Sequence, residues 1–205
     1  MDLAGFTALT EAHGDHAAAD LIDRFAELVT TAIGDRAQVV KSIGDALMLA
    51  SLDPAAAVDA MDRLLKACYS SEGFPEPRAG LHHGPVVKRG ADYFGATVNL
   101  AARVAGEASG GQTVGTEPIA RAAAENGFRV IELGQHRFRN VSEAVDLWLI
   151  DIQPADDDTA IDPVCRMRVE RRTASGVLDH DGHRYWFCSL DCVGRFASKP
   201  DQFTD

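Results

Sequence analysis

A Gly-Asp pair interrupts one apolar run of the sequence. The run is QVVKSIGDALMLA, and the pair lies at Gly44 and Asp45. Because glycine readily takes a positive φ, the pair predicts a tight turn between two strands, with Asp45 exposed at its tip. Aspartate is common in turns for local reasons, since it hydrogen-bonds nearby backbone. The pair by itself therefore leaves open whether Asp45 has a further role.

Helical patterns lie on both sides of this hairpin. Apolar residues before it repeat at spacings of three and four, which predicts an amphipathic helix; they are Leu21, Phe25, Leu28, Val29 and Ala32. After it, Asp53 suits the N-cap and Pro54 the first position of a second helix. Cys68 lies on the apolar face of that helix, so we expect it to be a buried core residue.

The following segments alternate between strand and helix. Helices are predicted from about Ala96 and from Thr116 to near Gly127, and a strand-rich run with a turn at Arg139 and Asn140 follows. Helices mixed with hairpins favour an α+β sandwich with a mixed or antiparallel sheet.

The composition divides the chain of 205 residues into two units. Residues 153–160 are acidic with little apolar content, which predicts a linker between a domain at 1–152 and a small unit at 161–205. The formal net charge of -11 argues against a nucleic-acid or anionic-membrane partner. We find no apolar run of ~20 residues and no basic leader, so we expect a cytoplasmic protein with reduced cysteines.

Asn99 and Arg103 stand four residues apart in NLAAR, so on a helix they share one face. There they can offer an amide and a guanidinium to a single anionic group, and arginine suits phosphate oxygens. Taken alone, the pair is a weak signal.

Four segments in order give these residues a context: DLAGFTALTE, KSIGDALM, RAGLHHGPV and DYFGATVNLAAR. With them, residues 1–152 resemble the class III adenylate and guanylate cyclase catalytic domain, which implies a ferredoxin-like α+β sandwich. The resemblance implies that Asp2, Leu3 and Asp45 hold two Mg²⁺ or Mn²⁺ ions. It also implies that Asn99 orients the ribose of the substrate, and that Arg103 stabilises charge on the α-phosphate.

Lys41 and Asp92 match the purine-reading pair of this family. Adenine presents an acceptor at N1 and a donor at its exocyclic amine, which a lysine donor and an aspartate acceptor complement, whereas guanine reverses both roles. We therefore expect ATP rather than GTP as the substrate, because the wrong base would leave buried polar groups unpaired.

Further roles follow from the resemblance. Arg139, with Arg137 as the alternative, matches the basic residue that contacts the triphosphate. His82 and His83 are expected to pack or hydrogen-bond rather than to act in catalysis. In the family the metal-binding and the purine-reading residues of one active site come from opposite chains, so the resemblance implies a homodimer with two equivalent sites.

Only Met1 precedes Asp2 in the sequence, so we expect the first strand of the fold to be truncated. Loss of a buried backbone partner costs on the order of 1–3 kcal/mol. We therefore expect the chain as written to be less stable and less active than one with about eight upstream residues.

Three cysteines dominate the C-terminal unit. Cys165, Cys188 and Cys192 have the spacing C-x(22)-C-x(3)-C. With DPVC, YWFCSLDC and RFASKPDQF, residues 161–204 resemble the YHS domain, a small treble-clef-like module associated with heavy metals. Arg166 stands where that family usually has glycine.

Three thiolates suit Zn²⁺ or Cu(I). A tetrahedral zinc site needs a fourth ligand, for which His183, His180 and Asp191 are the candidates. A disulfide or a metal-free reduced cluster are the alternatives.

The sequence thus predicts an adenylate cyclase that uses two divalent ions and carries a C-terminal module able to respond to a metal. The alternative is a nucleotide-binding or metal-binding regulatory protein without turnover.

Overall fold

The computed structural model describes residues 1–152 and 158–204. In the first range, the elements in chain order are β1 (Asp2–Leu3), α1 (Phe6–His13), α2 (Asp15–Ile33), β2 (Ala37–Ile43), β3 (Ala46–Ser51), α3 (Pro54–Tyr69), β4 (Pro77–Leu81), β5 (Val87–Arg89), β6 (Asp92–Phe94), α4 (Ala96–Gly106), β7 (Thr113–Thr116), α5 (Glu117–Glu125), β8 (Arg129–His136) and β9 (Val145–Asp151). Helices and strands alternate as the sequence predicts, and the α+β fold class is confirmed.

A five-stranded mixed sheet forms the centre of this range, in the order β1-β4-β7-β9-β8. Strands β4 and β7 run parallel, and the other neighbours are antiparallel. The predicted turn at Arg139 and Asn140 lies between β8 and β9, where Asn140 has a φ of 64°.

The Gly-Asp pair forms the predicted hairpin. Strands β2 and β3 pair up to Ile43 and Ala46, and Gly44 takes a φ of 61° in the turn between them. The backbone N–H of Leu47 donates to the Met1 carbonyl at 2.8 Å, which places the start of β3 beside β1. The turn of the hairpin therefore lies beside the N-terminal segment that carries Asp2.

Helices cover the sheet with two separate apolar clusters. Helices α2, α3 and α5 bury Phe25, Leu64 and Ile119 in the larger cluster. Helix α4 buries Val104 against strand residues in a second cluster. It crosses β4 so closely at Gly80 that a side chain there would overlap the helix backbone. Asp53 caps α3 by accepting from the Ala56 N–H at 2.9 Å, as predicted.

The C-terminal elements are β10 (Thr159–Ile161), β11 (Arg168–Glu170), β12 (Gly176–His180), β13 (His183–Phe187), α6 (Leu190–Ser198) and a 3-10 turn (Pro200–Gln202). Two antiparallel hairpins, β10-β11 and β12-β13, pack with α6 around a core that includes Phe187 and Phe196. Most of the predicted linker lies outside the described residues, and β10 already begins at Thr159.

The two ranges contact each other directly. Arg168 of β11 donates from Nη2 to the carbonyls of Cys68, Tyr69 and Ser71 at 3.1, 2.8 and 3.1 Å. Its guanidinium also lies over the Tyr69 ring, 4.4 Å from the centroid. Arg195 of α6 donates to the carbonyl of Glu11 in α1 at 3.1 Å. These bonds join the C-terminal unit to both α1 and the end of α3.

The predicted helices α2, α3, α4 and α5 are all present, and Cys68 is buried as expected. Helix α1 was not predicted from the sequence. Within residues 1–152 and 158–204, every helix is too short or too polar to cross a lipid bilayer.

Candidate functional site

Two carboxylates meet where β1 and the β2–β3 turn adjoin. Asp2 lies on β1, and Asp45 is half-buried in the turn. Burial raises the pKa of Asp45, and the like charge of Asp2 adds to the rise. Two acids that repel each other in a partly buried place form a site suited to a divalent cation, since hard cations take carboxylate oxygens.

Arg78 is a member of this site that the sequence did not reveal. It lies opposite Asp2 in the antiparallel pairing of β1 with β4. Its Nη2 donates to Asp2 Oδ2 at 3.1 Å, and its Nε donates to the other carboxylate oxygen. This two-point ion pair raises the pKa of Arg78. Strand register brings the pair together, and nothing in the spacing of 76 residues indicates it.

Lys41 and Asp92 form an ion pair. Lys41 on β2 donates from Nζ to Asp92 Oδ2 at 2.7 Å, although 51 residues separate them. The other oxygen of Asp92 accepts the N–H of Tyr93 at 2.8 Å. The hydrogen bond from Lys41 holds the pKa of Asp92 below its usual value. The structure therefore brings together the two residues predicted to read the base, while their role stays a prediction.

A groove of about 590 Å³ joins several of the predicted residues. Asp2, Lys41 and Asn99 line it, and His82 and His83 lie on its wall. Asn99 reaches the groove from α4, whose N-terminal end follows the β5–β6 hairpin.

Other predicted residues lie outside the lining of the groove. These are Leu3, which is buried, and Asp45, Asp92, Arg103 and Arg139. Arg103 is half-buried one turn along α4 from Asn99. Arg139 and its alternative Arg137 are both exposed in the connection between β8 and β9. A single chain thus places only some of the predicted site residues in this groove.

His82 is tied into the wall of the groove. Its Nδ1 lies 2.8 Å from the hydroxyl of Thr116, which is buried. Burial lowers the pKa of His82, and neighbouring His83 lowers it further. This hydrogen bond is of the kind the sequence predicted for His82.

The three cysteines of the C-terminal unit form a second site. The Cys165 and Cys188 sulfurs are 3.4 Å apart, and those of Cys188 and Cys192 are 3.8 Å apart. All are free thiols. Such a cluster of soft donors fits Zn²⁺ or Cu(I).

A histidine from α1 completes this group. The Nε2 atom of His13 lies 3.6 Å from the Cys188 sulfur and 4.0 Å from the Cys192 sulfur, and all four donor atoms lie within 4.8 Å of one another.

The three fourth-ligand candidates from the sequence are not in this group as described. His183 and Asp191 are exposed, and His180 packs edge-on against Phe196 with centroids 5.9 Å apart. Since His13 is 175 residues from Cys188, sequence reasoning restricted to the C-terminal unit could not find it.

Asp162 organises the loops that carry the cysteines. It is fully buried, and its two oxygens accept the N–H groups of Val164 at 2.9 Å and Cys188 at 2.8 Å. Arg166, in the place of the usual glycine, takes a φ of 63° after Cys165. Arg166 therefore adopts the left-handed conformation that glycine takes easily, which costs a non-glycine residue roughly 1–2 kcal/mol.

Comparison with known families gives matches to two parts of the chain. Residues 1–151 match the adenylate and guanylate cyclase catalytic domain, and residues 160–205 match the YHS domain.

Curated relatives include the pH-sensitive adenylate cyclase MT1302 of Mycobacterium tuberculosis, 33% identical over 73% of this chain and 38% of its own length. An adenylate cyclase of Streptomyces griseus is 38% identical over 50% of this chain and 26% of its own length. The chain therefore spans less than two fifths of these relatives.

Solved structures share the fold. An adenylate cyclase from Trypanosoma brucei, solved in its monomeric state, has a TM-score of 0.64 at 25% identity, covering 75% of this chain and 86% of its own. The adenylyl cyclase CyaB from P. aeruginosa has a TM-score of 0.59 at 22% identity, covering 78% and 93%.

Proposed function

This chain belongs to the adenylate and guanylate cyclase catalytic-domain family, as its four sequence segments predicted, and on that premise we propose that it converts ATP to cyclic AMP and pyrophosphate. The observation that carries the proposal is the groove lined by Asp2, Lys41 and Asn99, with Asp92 bonded to Lys41 beside it. Carboxylates for a cation, a base-reading pair and an amide for the ribose are what this reaction requires.

The carboxylate pair fits a divalent cation. Asp2 and Asp45 would hold Mg²⁺ or Mn²⁺, because their mutual repulsion and partial burial are relieved by a positive ion. Ions bound there would lower the pKa of the ribose 3′-hydroxyl and neutralise charge on the phosphates. Each Asp2 oxygen keeps a second lone pair while it accepts from Arg78, so Arg78 can hold the carboxylate in place for a cation.

Lys41 and Asp92 would select the purine. Without a nucleotide, Lys41 Nζ donates a hydrogen bond to Asp92 Oδ2 at 2.7 Å. Adenine can replace this ion pair with one acceptor for Lys41 and one donor for Asp92, whereas guanine would face each with a group of the wrong kind. Adenine is therefore the base that we propose.

Asn99 and Arg103 would act on the reacting groups. The 3′-oxygen forms its bond to the α-phosphorus, the bond to the bridging oxygen of pyrophosphate breaks, and the hydroxyl proton passes to solvent. Asn99 would hold the ribose for in-line attack, since it reaches the groove from α4. Arg103, one turn further along the helix, would stabilise the charge that grows on the α-phosphate.

We further propose that two copies of the chain form the working enzyme. Ile43, Val87 and Phe94 are 62%, 56% and 48% exposed on the two hairpins around the groove. Apolar side chains grouped in this way favour a protein partner. A partner copy would cover them and set the purine-reading pair of one chain opposite the metal carboxylates of the other. The cytoplasmic location expected from the sequence remains part of this proposal.

The test is product formation by the full chain incubated with ATP and Mn²⁺. We expect cyclic AMP from the wild type, a loss of at least ~100-fold in kcat/KM for Asp45→Asn, and little change for Asp35→Asn, whose carboxylate is 90% exposed. Light scattering on the same samples measures whether the chain is dimeric. A well-folded dimer that yields no cyclic nucleotide would contradict the proposal.

A second candidate is a nucleotide-binding regulatory protein without turnover. The two-point ion pair of Arg78 with Asp2 favours it, because this pair already neutralises one of the two metal carboxylates. Calorimetry distinguishes the two functions: ATP affinity without any cyclic product supports the second candidate.

A further inference from the structure

The cysteine site draws its four donor atoms from both units of the chain. Three are sulfurs of the C-terminal unit, and the fourth is Nε2 of His13, in the last turn of α1 in the cyclase unit. The sequence resemblance accounts for the sulfurs alone. The role of the histidine has to be argued from the structure.

Four of the six distances between the donor atoms match those around one tetrahedral zinc ion. With Zn–S near 2.3 Å and Zn–N of about 2.0–2.1 Å, a tetrahedron needs sulfurs about 3.8 Å apart and a sulfur to nitrogen distance of about 3.6 Å. The observed sulfur pairs are 3.4 and 3.8 Å apart, and His13 Nε2 lies 3.6 and 4.0 Å from two of the sulfurs. These four distances thus agree with a tetrahedron to within about 0.4 Å, and all four donor atoms lie within 4.8 Å of one another.

We propose that His13 is the fourth ligand of a Zn²⁺ site shared between the cyclase unit and the C-terminal unit. Three thiolates and one imidazole are a usual donor set for structural zinc. Cu(I) is satisfied by soft thiolates and has less need of an imidazole. The ligand assignment does not depend on the cyclase activity proposed above.

Other contacts hold α1 in place for this role. Arg195 donates to the carbonyl of Glu11, two residues before His13. Ala12 packs against the core of the C-terminal unit. At the other end of the helix, the side chain of Arg166 packs directly on Gly5. The helix is therefore fixed at both ends by the unit that holds the cysteines, so His13 is positioned before a metal arrives.

Because His13 belongs to α1, zinc bound to it would be connected through this helix to the segment that carries Asp2. Helix α1 begins at Phe6, four residues after Asp2, and ends at His13. A bond between zinc and His13 would make the binding energy of the metal stabilise the junction of the two units as well as the C-terminal core. Occupancy of the site thus restrains the segment that carries Asp2.

The experiment measures zinc affinity of the reduced full chain by competition with a chelator. We expect one Zn²⁺ per chain in the wild type and an affinity lower by at least ~10–100-fold in His13→Asn, since loss of even an outer-shell partner costs that much. His16→Asn changes an exposed histidine three residues away and should bind as the wild type does. His13→Cys restores a fourth donor and should recover most of the affinity.

Two readouts test the sharing itself. Co²⁺ in the wild type should give the intense d–d absorption of tetrahedral coordination, and His13→Asn should change that spectrum. Zinc should slow amide hydrogen exchange in α1 of the wild type and of His16→Asn, but not of His13→Asn. Equal affinity and equal spectra for His13→Asn and the wild type would overturn the proposal. A wild type that binds no zinc would also overturn it. So would a wild type that binds Cu(I) in preference to zinc, with an affinity that His13→Asn leaves unchanged.

Discussion

Arg168 should contribute more to stability than any other arginine of the C-terminal unit. Its Nη2 atom faces three carbonyls at the end of α3, those of Cys68, Tyr69 and Ser71, at 2.8–3.1 Å. Two N–H groups cannot serve three acceptors fully, so we count two charged hydrogen bonds, each of about 1.5–3 kcal/mol. The stacking on Tyr69 adds about 0.5–1 kcal/mol.

We expect Arg168→Met to lower the free energy of unfolding by about 2–4 kcal/mol, which is less than this sum because water can reach the partly buried carbonyls. For a chain of 205 residues that corresponds to a fall in Tm of roughly 4–16 °C. Calorimetry should also show whether the C-terminal unit then melts separately, because the variant removes a bond between the units.

Arg172→Met is the matched control, since Arg172 is exposed four residues further along. It should shift Tm by less than ~2 °C, as surface substitutions usually do. Arg168→Lys keeps the charge but offers no planar fork, so it should lie between the two. If Arg168→Met and Arg172→Met melt at the same temperature, the carbonyl contacts do not stabilise the junction.

Three further predictions concern the cyclase unit. Lys41→Glu combined with Asp92→Cys should weaken use of ATP and move preference toward GTP, and an unchanged ratio of kcat/KM for the two nucleotides would show that this pair does not read the base. Gly80→Ala should destabilise the fold by about 3 kcal/mol, because the new methyl overlaps the α4 backbone. Gly106→Ala should not destabilise it, because a methyl at Gly106 meets no other atom. Denaturant unfolding measures both variants. Burial lowers the pKa of His82 from 6.5, so the unfolded chain binds a proton more readily than the folded protein does. The free energy of unfolding should therefore fall as the pH drops below about 6.5. His82→Gln lacks this component, and parallel pH–stability curves for the two proteins would refute the prediction.

Features that depend on neighbouring residues were predictable from the sequence. Gly44 and Asp45 predicted a hairpin because the turn needs a residue at positive φ, and that residue lies within the turn itself. Asp53 predicted the start of α3 because a cap acts on an N–H group three residues away. Helix α1 was missed, since it has no side-chain cap and only Leu9 is fully buried.

The sequence by itself determined the two families, the alternation of elements and the spacing of the cysteines. Only the tertiary structure decided which distant side chains meet. The register of β1 against β4 pairs Arg78 with Asp2, and the packing of α1 on the C-terminal unit brings His13 to the thiols of Cys188 and Cys192. Spacing along a helix or strand relates side chains within a turn or between alternate residues. Pairs separated by 76 or 175 residues meet because of how whole elements pack, and no local pattern in the chain encodes that.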